Sequence, residues 1–411
     1  MGMKGMLART PFAAMAALLF LFWPTGGLPG RAAGTARPAL AVTGRTVSGP
    51  AVPSPGLSST LQDVACTSVR NCWAVGSYQT GAAQLNEALH WDGTSWSEIA
   101  TPDHGTGPGH HSSLTAVACT SARNCWAVGS YARGTAQLNE ALHWDGTSWS
   151  RIATPDPGIP GSGAHMLDGV SCASRTSCWA VGIHISDRGI GRNAVLRWNG
   201  AGWAAVNAPD PGANVAGDGR ELSGVACRSA GDCLAVGGYV SKARSERNEA
   251  LRWNGTRWLR VATHGSGALS SVTCTAAARC WAVRGQASGK GTIRWNGTSW
   301  SAAATPGSAE LNGVACAAAA SCVAVGNHTL GGALLNDVLG WNGTSWAAVA
   351  VPDPGGIGAG AQNRLAAVAC TSAANCWAVG SYWDSTAAAH RNVALHWNGN
   401  AWSSQRVSDG T

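Results

Sequence analysis

All 14 cysteines of this 411-residue chain fall into seven copies of one spacing, Cys-x5-Cys: Cys66 and Cys72, Cys119 and Cys125, Cys172 and Cys178, Cys227 and Cys233, Cys274 and Cys280, Cys316 and Cys322, Cys370 and Cys376. None is left over. Each pair sits in a longer repeat, which in its first copy reads Leu61-x-x-Val64-Ala65-Cys66, then Cys72-Trp73-Ala74-Val75-Gly76, then Leu89-His90-Trp91-Asp92-Gly93-Thr94-Ser95-Trp96. Self-similarity at a period of 42 to 55 residues marks a propeller or a repeat array, where each unit buries its faces only against its neighbours. Seven units of this size, at four strands each, fall within the roughly four to eight blades that propellers use. The expected fold is all-β: a seven-bladed β-propeller over residues 61–411, with four antiparallel strands and one Cys-x5-Cys disulfide per blade.

The first repeat divides into four strands, 61–66, 72–78, 88–91 and 96–100. Asp92-Gly93, and Asn-Gly in later copies such as Asn254-Gly255 and Asn342-Gly343, are tight-hairpin signals because both residues tolerate positive φ. The third and fourth strands therefore form a hairpin with a Trp on either side. The cysteines flank the first turn, and a bond between them closes a short loop worth about 2 kcal/mol on the chain-entropy model. A metal reading of the same pairs needs four convergent ligands. Three Trp positions in seven copies, with Leu234 and Val323 replacing two, account for every Trp except Trp23 and Trp383. The in-pattern Trp residues suit the space between blades, since a Trp carries a large apolar surface.

The first 41 residues read as a secretory signal peptide, with Lys4 and Arg9 before an apolar stretch and Ala39-Leu40-Ala41 as the cleavage site. The mature protein is expected to be secreted and extracellular, where disulfides persist. No membrane anchor is expected. Residues 42–60 form a linker, and the echo between Ala51-Val52-Pro53-Ser54-Pro55-Gly56 and Ala350-Val351-Pro352-Asp353-Pro354-Gly355 points to pairing of this segment with the last blade. Four of the 28 Lys and Arg (Lys4, Arg9, Arg31, Arg37) lie in the leader, leaving 24 against 21 acids. A net charge of +3 without clustering argues against nucleic acid as a partner. A monomer is expected.

The Cys-x5-Cys-Trp-Ala-Val-Gly and Trp-Asn/Asp-Gly-x-x-Trp repeat resembles secreted actinobacterial seven-bladed β-propeller repeat proteins, a group linked to the galactose oxidase/kelch-like and Asp-box-like propeller superfamilies. The resemblance implies the fold and leaves the activity open, because propellers host unrelated functions. A galactose-oxidase-type copper site needs a cysteine cross-linked to tyrosine. Here every Cys has a repeat partner, and Tyr78, Tyr131, Tyr239 and Tyr382 share one repeat position. No sialidase arginine triad, nucleophile elbow or zincin motif is found. The histidines carry no ligand spacing, so no metal and no cofactor are expected.

In a four-stranded antiparallel blade, the loop between the second and third strands and the link to the next blade leave from the same end. Variation collects there, on the face where loops over a rigid scaffold carry function. The links are shortest after Trp258 and Trp300, and in the fifth repeat Arg284 and Lys290 replace the usual Gly and Asn. A low sector around the fifth blade would make a groove. Off-pattern Trp383, between Tyr382 and Asp384, suits stacking on a sugar ring. The candidate ligand-binding residues are therefore Trp383, Asp384, Arg284 and Lys290. Asn86, Asn139, Asn193, Asn248, Asn336 and Asn392 recur before the third strand and read as tethers for their own second-to-third-strand loops. Asp103, Asp156, Asp210 and Asp353 recur in Pro-Asp segments and read as turn formers. Among the off-pattern acids Asp168, Asp187, Asp218 and Glu221, the pair Asp168 and Glu221 are the candidates for general acid and base.

The function expected is an extracellular binding or interaction module whose ligand is a glycan, cell-wall polymer or protein on the variable-loop face. The alternative is a secreted carbohydrate-active enzyme, a hydrolase or lyase, using carboxylates on the same face.

Overall fold

The structure, a computed structural model, describes residues 58–156, 165–185, 189–211, 219–263, 265–285, 291–307 and 309–409. Lys290, Asp187, Asp218, the signal peptide and nearly all of the 42–60 linker lie outside the described residues. The chain forms seven four-stranded sheets, each from one contiguous repeat with its strands hydrogen-bonded in sequence order. Blade 1 comprises Ser59–Ser68, Asn71–Thr80, Ala83–Trp91 and Trp96–Glu98. The first strands of the other blades are Ser112–Ser121, His165–Ser174, Arg220–Ser229, Leu269–Ala276, Glu310–Ala318 and Asn363–Ser372. Each packs beside the next, and that of blade 7 packs beside that of blade 1. The inner ring is closed.

Alternation along the strands gives every blade two apolar faces. Leu61, Val64, Cys72, Ala74, Leu89 and Trp96 meet Trp377, Val379 and Ala394 of blade 7. On the opposite face, Trp73, Val75 and Ala88 meet Leu114, Val117 and Trp149 of blade 2. At five of the seven seams a Trp of one blade packs between two Trp residues of the next. Trp73 lies 4.6 Å from Trp144 and 5.0 Å from Trp149, ring centre to ring centre. Leu234 and Val323 fill that place at the other two seams. In the outer hairpin, Asp92 Oδ1 accepts from the N–H groups of Thr94 and Ser95 and from the Thr94 hydroxyl. Asn254, Asn296 and Asn342 do the same in their blades.

All seven Cys-x5-Cys pairs are bonded, each across the turn between first and second strands. The two halves of each bond differ in setting. The first cysteine is half-buried, whereas the second opens the Trp-bearing strand and is sealed inside the seam. Cys125 packs with Leu114 and Trp149, Cys178 with Leu167 and Trp203, Cys322 with Leu311 and Trp346, and Cys376 with Leu365 and Trp402. These sulfurs serve as core atoms as well as cross-links.

The Gly that ends Cys-Trp-Ala-Val-Gly has a steric cause. Opposite it the first strand bulges, so that Leu61 faces Gly76 and Asp63 faces Val75, with Gln62 extra. A Cβ on Gly76 would lie 1.9 Å from the Thr60 carbonyl oxygen. In blade 5 the first strand begins only at Leu269, opposite Arg284. The preceding residue, Ala268, gives its N–H to Glu246 Oε1 of blade 4, and a side chain is tolerated.

The expected strand limits need one revision. The second strand of blade 1 runs to Thr80 and the third begins at Ala83, so their connection is a tight hairpin at Gly81 (φ 59°). The long variable segments on this face are therefore the links between blades.

Candidate functional site

The links leaving blades 1, 2, 3 and 6 are fastened to the start of the third strand of the blade they leave. Asp103 Oδ1 accepts from the Asn86 N–H at 2.8 Å, and the Asn86 amide donates to the Pro102 carbonyl. Asp156 with Asn139, Asp210 with Asn193 and Asp353 with Asn336 repeat the arrangement. Asp409 with Asn392 adds a fifth case without the Pro. Asn86, Asn139, Asn193 and Asn336 thus hold an inter-blade link, and Asn392 the C-terminal segment, rather than the second-to-third-strand loop, which in blade 1 is a tight turn at Gly81. Three Asn amides also cross to a buried Glu of the next blade: Asn86 to Glu140, Asn193 to Glu249 and Asn392 to Glu87.

The link from blade 1 to blade 2 departs from the others at His104. This position is Pro157, Pro211 or Pro354 after the other Pro-Asp pairs. The His104 ring lies flat on Tyr131, 3.2 Å away and within 1° of parallel. Its Nε2 approaches Glu140 Oε1 at 3.5 Å. Burial, together with the charges of Arg151 and Arg133, lowers the imidazole to about 4. Burial pushes the Glu140 carboxyl up to about 8, against the pull of the Asn86 amide. The ring is therefore neutral at physiological pH, above a neutral acid.

Beyond His104 the link is held by backbone bonds. Gly109 N–H donates to the Ala82 carbonyl, Gln84 N–H to that of His110, and Ala132 N–H to that of His111. These bonds suspend it across two blades. Beneath it opens a cleft of about 520 Å³ lined by His104, Pro108, Gly109, His110, Tyr131, Ala132, Arg133 and Gly134. The low sector expected around blade 5 includes residues 286–290, which lie outside the described residues.

The structure places the sequence candidates in separate regions. Trp383 and Asp384 end the second strand of blade 7, and Arg284 ends that of blade 5; blade 6 lies between. Trp383 is half-buried, edge-on to His390 at 5.1 Å. Asp384 caps the following turn through the Thr386 and Ala387 N–H groups and pairs with Arg391. Arg284 lies over Gly265. The bonded cysteines belong to the frame and not to a ligand surface. Cys72, Cys125 and Cys178 are wholly buried, Cys322 and Cys376 nearly so, and none of the five lines the cleft.

Asp168 and Glu221 are brought together on the inner strands of blades 3 and 4. Asp168 is the bulge residue of its blade. In blades 2, 5 and 6 this position is a donor that bonds the next blade: Thr115 to the Leu167 carbonyl, Ser270 to Leu311 and Asn312 to Leu365. Burial raises the Asp168 carboxyl well above the usual carboxylate range, and the Glu221 charge adds to the rise. Burial raises Glu221 as well. Two carboxyls held toward the protonated state supply an acid more readily than a base. Neither lines the blade 1–2 cleft.

Sequence reasoning missed His104, His110, Tyr131 and Arg133. The available signal was His104 standing in a Pro position; Tyr131 was hidden by being in phase with the repeat.

No protein-family model matches the chain, and no curated protein matches it. Among solved structures, a GH74 xyloglucanase from Xanthomonas campestris aligns with a TM-score of 0.54 at 14% identity, over 84% of this chain and 53% of that one. The β-propeller domain of the trilobed protease from Pyrococcus furiosus, described as having an open velcro topology, aligns with a TM-score of 0.51 at 7% identity, over 86% of this chain and 97% of that domain. The likeness is one of fold alone.

Proposed function

We propose that the chain is an extracellular binding module whose ligand, a glycan, cell-wall polymer or protein, seats on the face that carries the links. The observation that carries this reading is the cleft under the blade 1–2 link, floored by the His104–Tyr131 stack and walled by a backbone fastened to two blades. A preformed recess with few polar groups on a rigid frame is what a ligand site needs. Seven disulfides suit an oxidising exterior, as does the leader expected over residues 1–41. A carbohydrate-active enzyme is the second reading, and it rests on the adjacent carboxyls of Asp168 and Glu221.

The test is co-sedimentation of the purified, oxidised mature chain with insoluble polysaccharides and bacterial cell walls, beside Tyr131→Ala and Trp383→Ala, with the supernatants assayed for released sugars. Retention that falls about tenfold in Tyr131→Ala, the loss expected for a stacking aromatic, with no sugar released, is the expected outcome. Sugar release abolished by Asp168→Asn would replace this reading with the enzyme. A loss of retention confined to Trp383→Ala would move the site to blade 7.

A further inference from the structure

We infer that the blade 1–2 cleft takes an acidic saccharide: a sugar ring lying against the His104–Tyr131 stack, with its carboxylate on Arg133. The inference rests on the binding-module reading and adds the ligand's chemical class.

Arg133 lines the cleft and is exposed. Arg151, also exposed, is close enough for its charge to act on both His104 and Tyr131. The nearby acids Asp103, Asp156 and Glu140 line no part of the cleft. Asp103 accepts from the Asn86 N–H and Asp156 from the Asn139 N–H. Glu140 is 1% exposed and accepts from the Asn86 amide. Burial keeps Glu140 protonated up to about pH 8, so it places no charge beneath the ring. An arginine fork is the side chain best matched to a carboxylate.

Gly109 and Gly134 have positive φ and nothing within 4 Å of where a Cβ would stand, so both walls are low. The His104 and Tyr131 rings, stacked face to face, both line the cleft, and the outer face of such a stack is a flat surface on which a sugar packs by its apolar face. Blade 7 supplies an internal contrast. The link from blade 6 to blade 7 is fastened in the same way, through Leu334 N–H to the Ala361 carbonyl and Trp383 N–H to that of Gln362. There Pro354 stands where His104 does, and Trp383-Asp384 stands where Ala132-Arg133 does. The same architecture thus carries a cation and an open floor at one seam, and an anion and a large ring at the other.

The experiment measures binding of the full oxidised chain to polygalacturonate, to the same polymer fully methyl-esterified, and to a poly(glycerol phosphate), at low and raised salt. Binding to polygalacturonate is expected to weaken with salt and to be lost on esterification. Arg133→Gln is expected to weaken it about tenfold or more, as loss of a charge-assisted bond does, and Arg133→Lys less. Unchanged melting temperatures show that the variants are folded. Equal binding of the esterified polymer, tighter binding of the phosphate polymer, or indifference to Arg133→Gln would overturn the inference. If Tyr131→Ala still abolishes binding in those cases, the binding-module reading stands without it. Absence of binding to all three polymers overturns the inference, and only an empty result across the wider polysaccharide and cell-wall panel overturns the reading as well.

Discussion

At the scale of the residue, the seams are built from polar groups that a strand interior rarely admits. Glu140 is sealed against Asn86 and His104, and burial carries its carboxyl from 4.5 up to about 8. A carboxyl whose folded value is raised stabilises the fold fully below its unfolded value and loses that contribution as pH climbs through the folded one. The contribution of Glu140 to the melting temperature should therefore fall between about pH 4.5 and about pH 8. Glu140→Gln keeps an oxygen for the Asn86 amide and removes the proton, so its decline over that interval should be shallower than that of the wild type. Thermal melts across that interval check it, and parallel curves for the two proteins would refute the assignment. Asp63, raised by burial to about 7 while accepting from the Val64 and Val117 N–H groups, slopes the same way in both proteins and leaves the comparison intact.

At the scale of the element, the bulge dictates where glycine must stand. A Cβ on Gly129 would lie 1.9 Å from the Ser113 carbonyl, backbone against backbone. Gly231, in the disulfide-bridged turn of blade 4, would meet nothing nearer than 3.8 Å. Gly129→Ala should therefore cost about 1–3 kcal/mol, as overpacking does. Gly231→Ala should stay within about 0.5 kcal/mol of the wild type. Denaturant midpoints distinguish the two, and equal shifts would mean that the bulge yields freely. The hairpins, the disulfides and the blade count were legible in the sequence because each depends on a short local pattern copied seven times. The start of the third strand was not. Asn86 and Glu87 read as loop residues, yet they are 2% and 0% exposed within the strand. Their polarity serves contacts made 16 or more residues away, and no local window carries that. The cleft was hidden for the same reason: Tyr131 gains its role only when the link places His104 on it.

At the scale of the whole molecule, closing the ring is a problem distinct from building blades. Among the described residues, all four strands of blade 7 come from the last repeat, so no strand from the N-terminal side completes it. The seam between blades 7 and 1 is held by Leu61 and Trp96 against Trp377, and by the Asn392 amide, which donates to Glu87 Oε1 at 2.7 Å across 305 residues. The His390 N–H also donates to the Ser58 hydroxyl, within the 42–60 segment expected to pair with the last blade. In an open array, each repeat leans only on its neighbours and the ends fray first; a closed ring has no ends. Asn392→Ala should therefore cost more than Asn139→Ala. Both variants lose a tether, Asn139 to its link and Asn392 to the C-terminal segment, but only Asn392→Ala leaves the buried Glu87 one donor short, a difference of about 1–3 kcal/mol. It should also broaden the unfolding transition, because blades 7 and 1 then become termini that open separately. Equal losses with equally sharp transitions would mean that the apolar contacts close the ring unaided and that the Asn–Glu bond across this seam is incidental to closure.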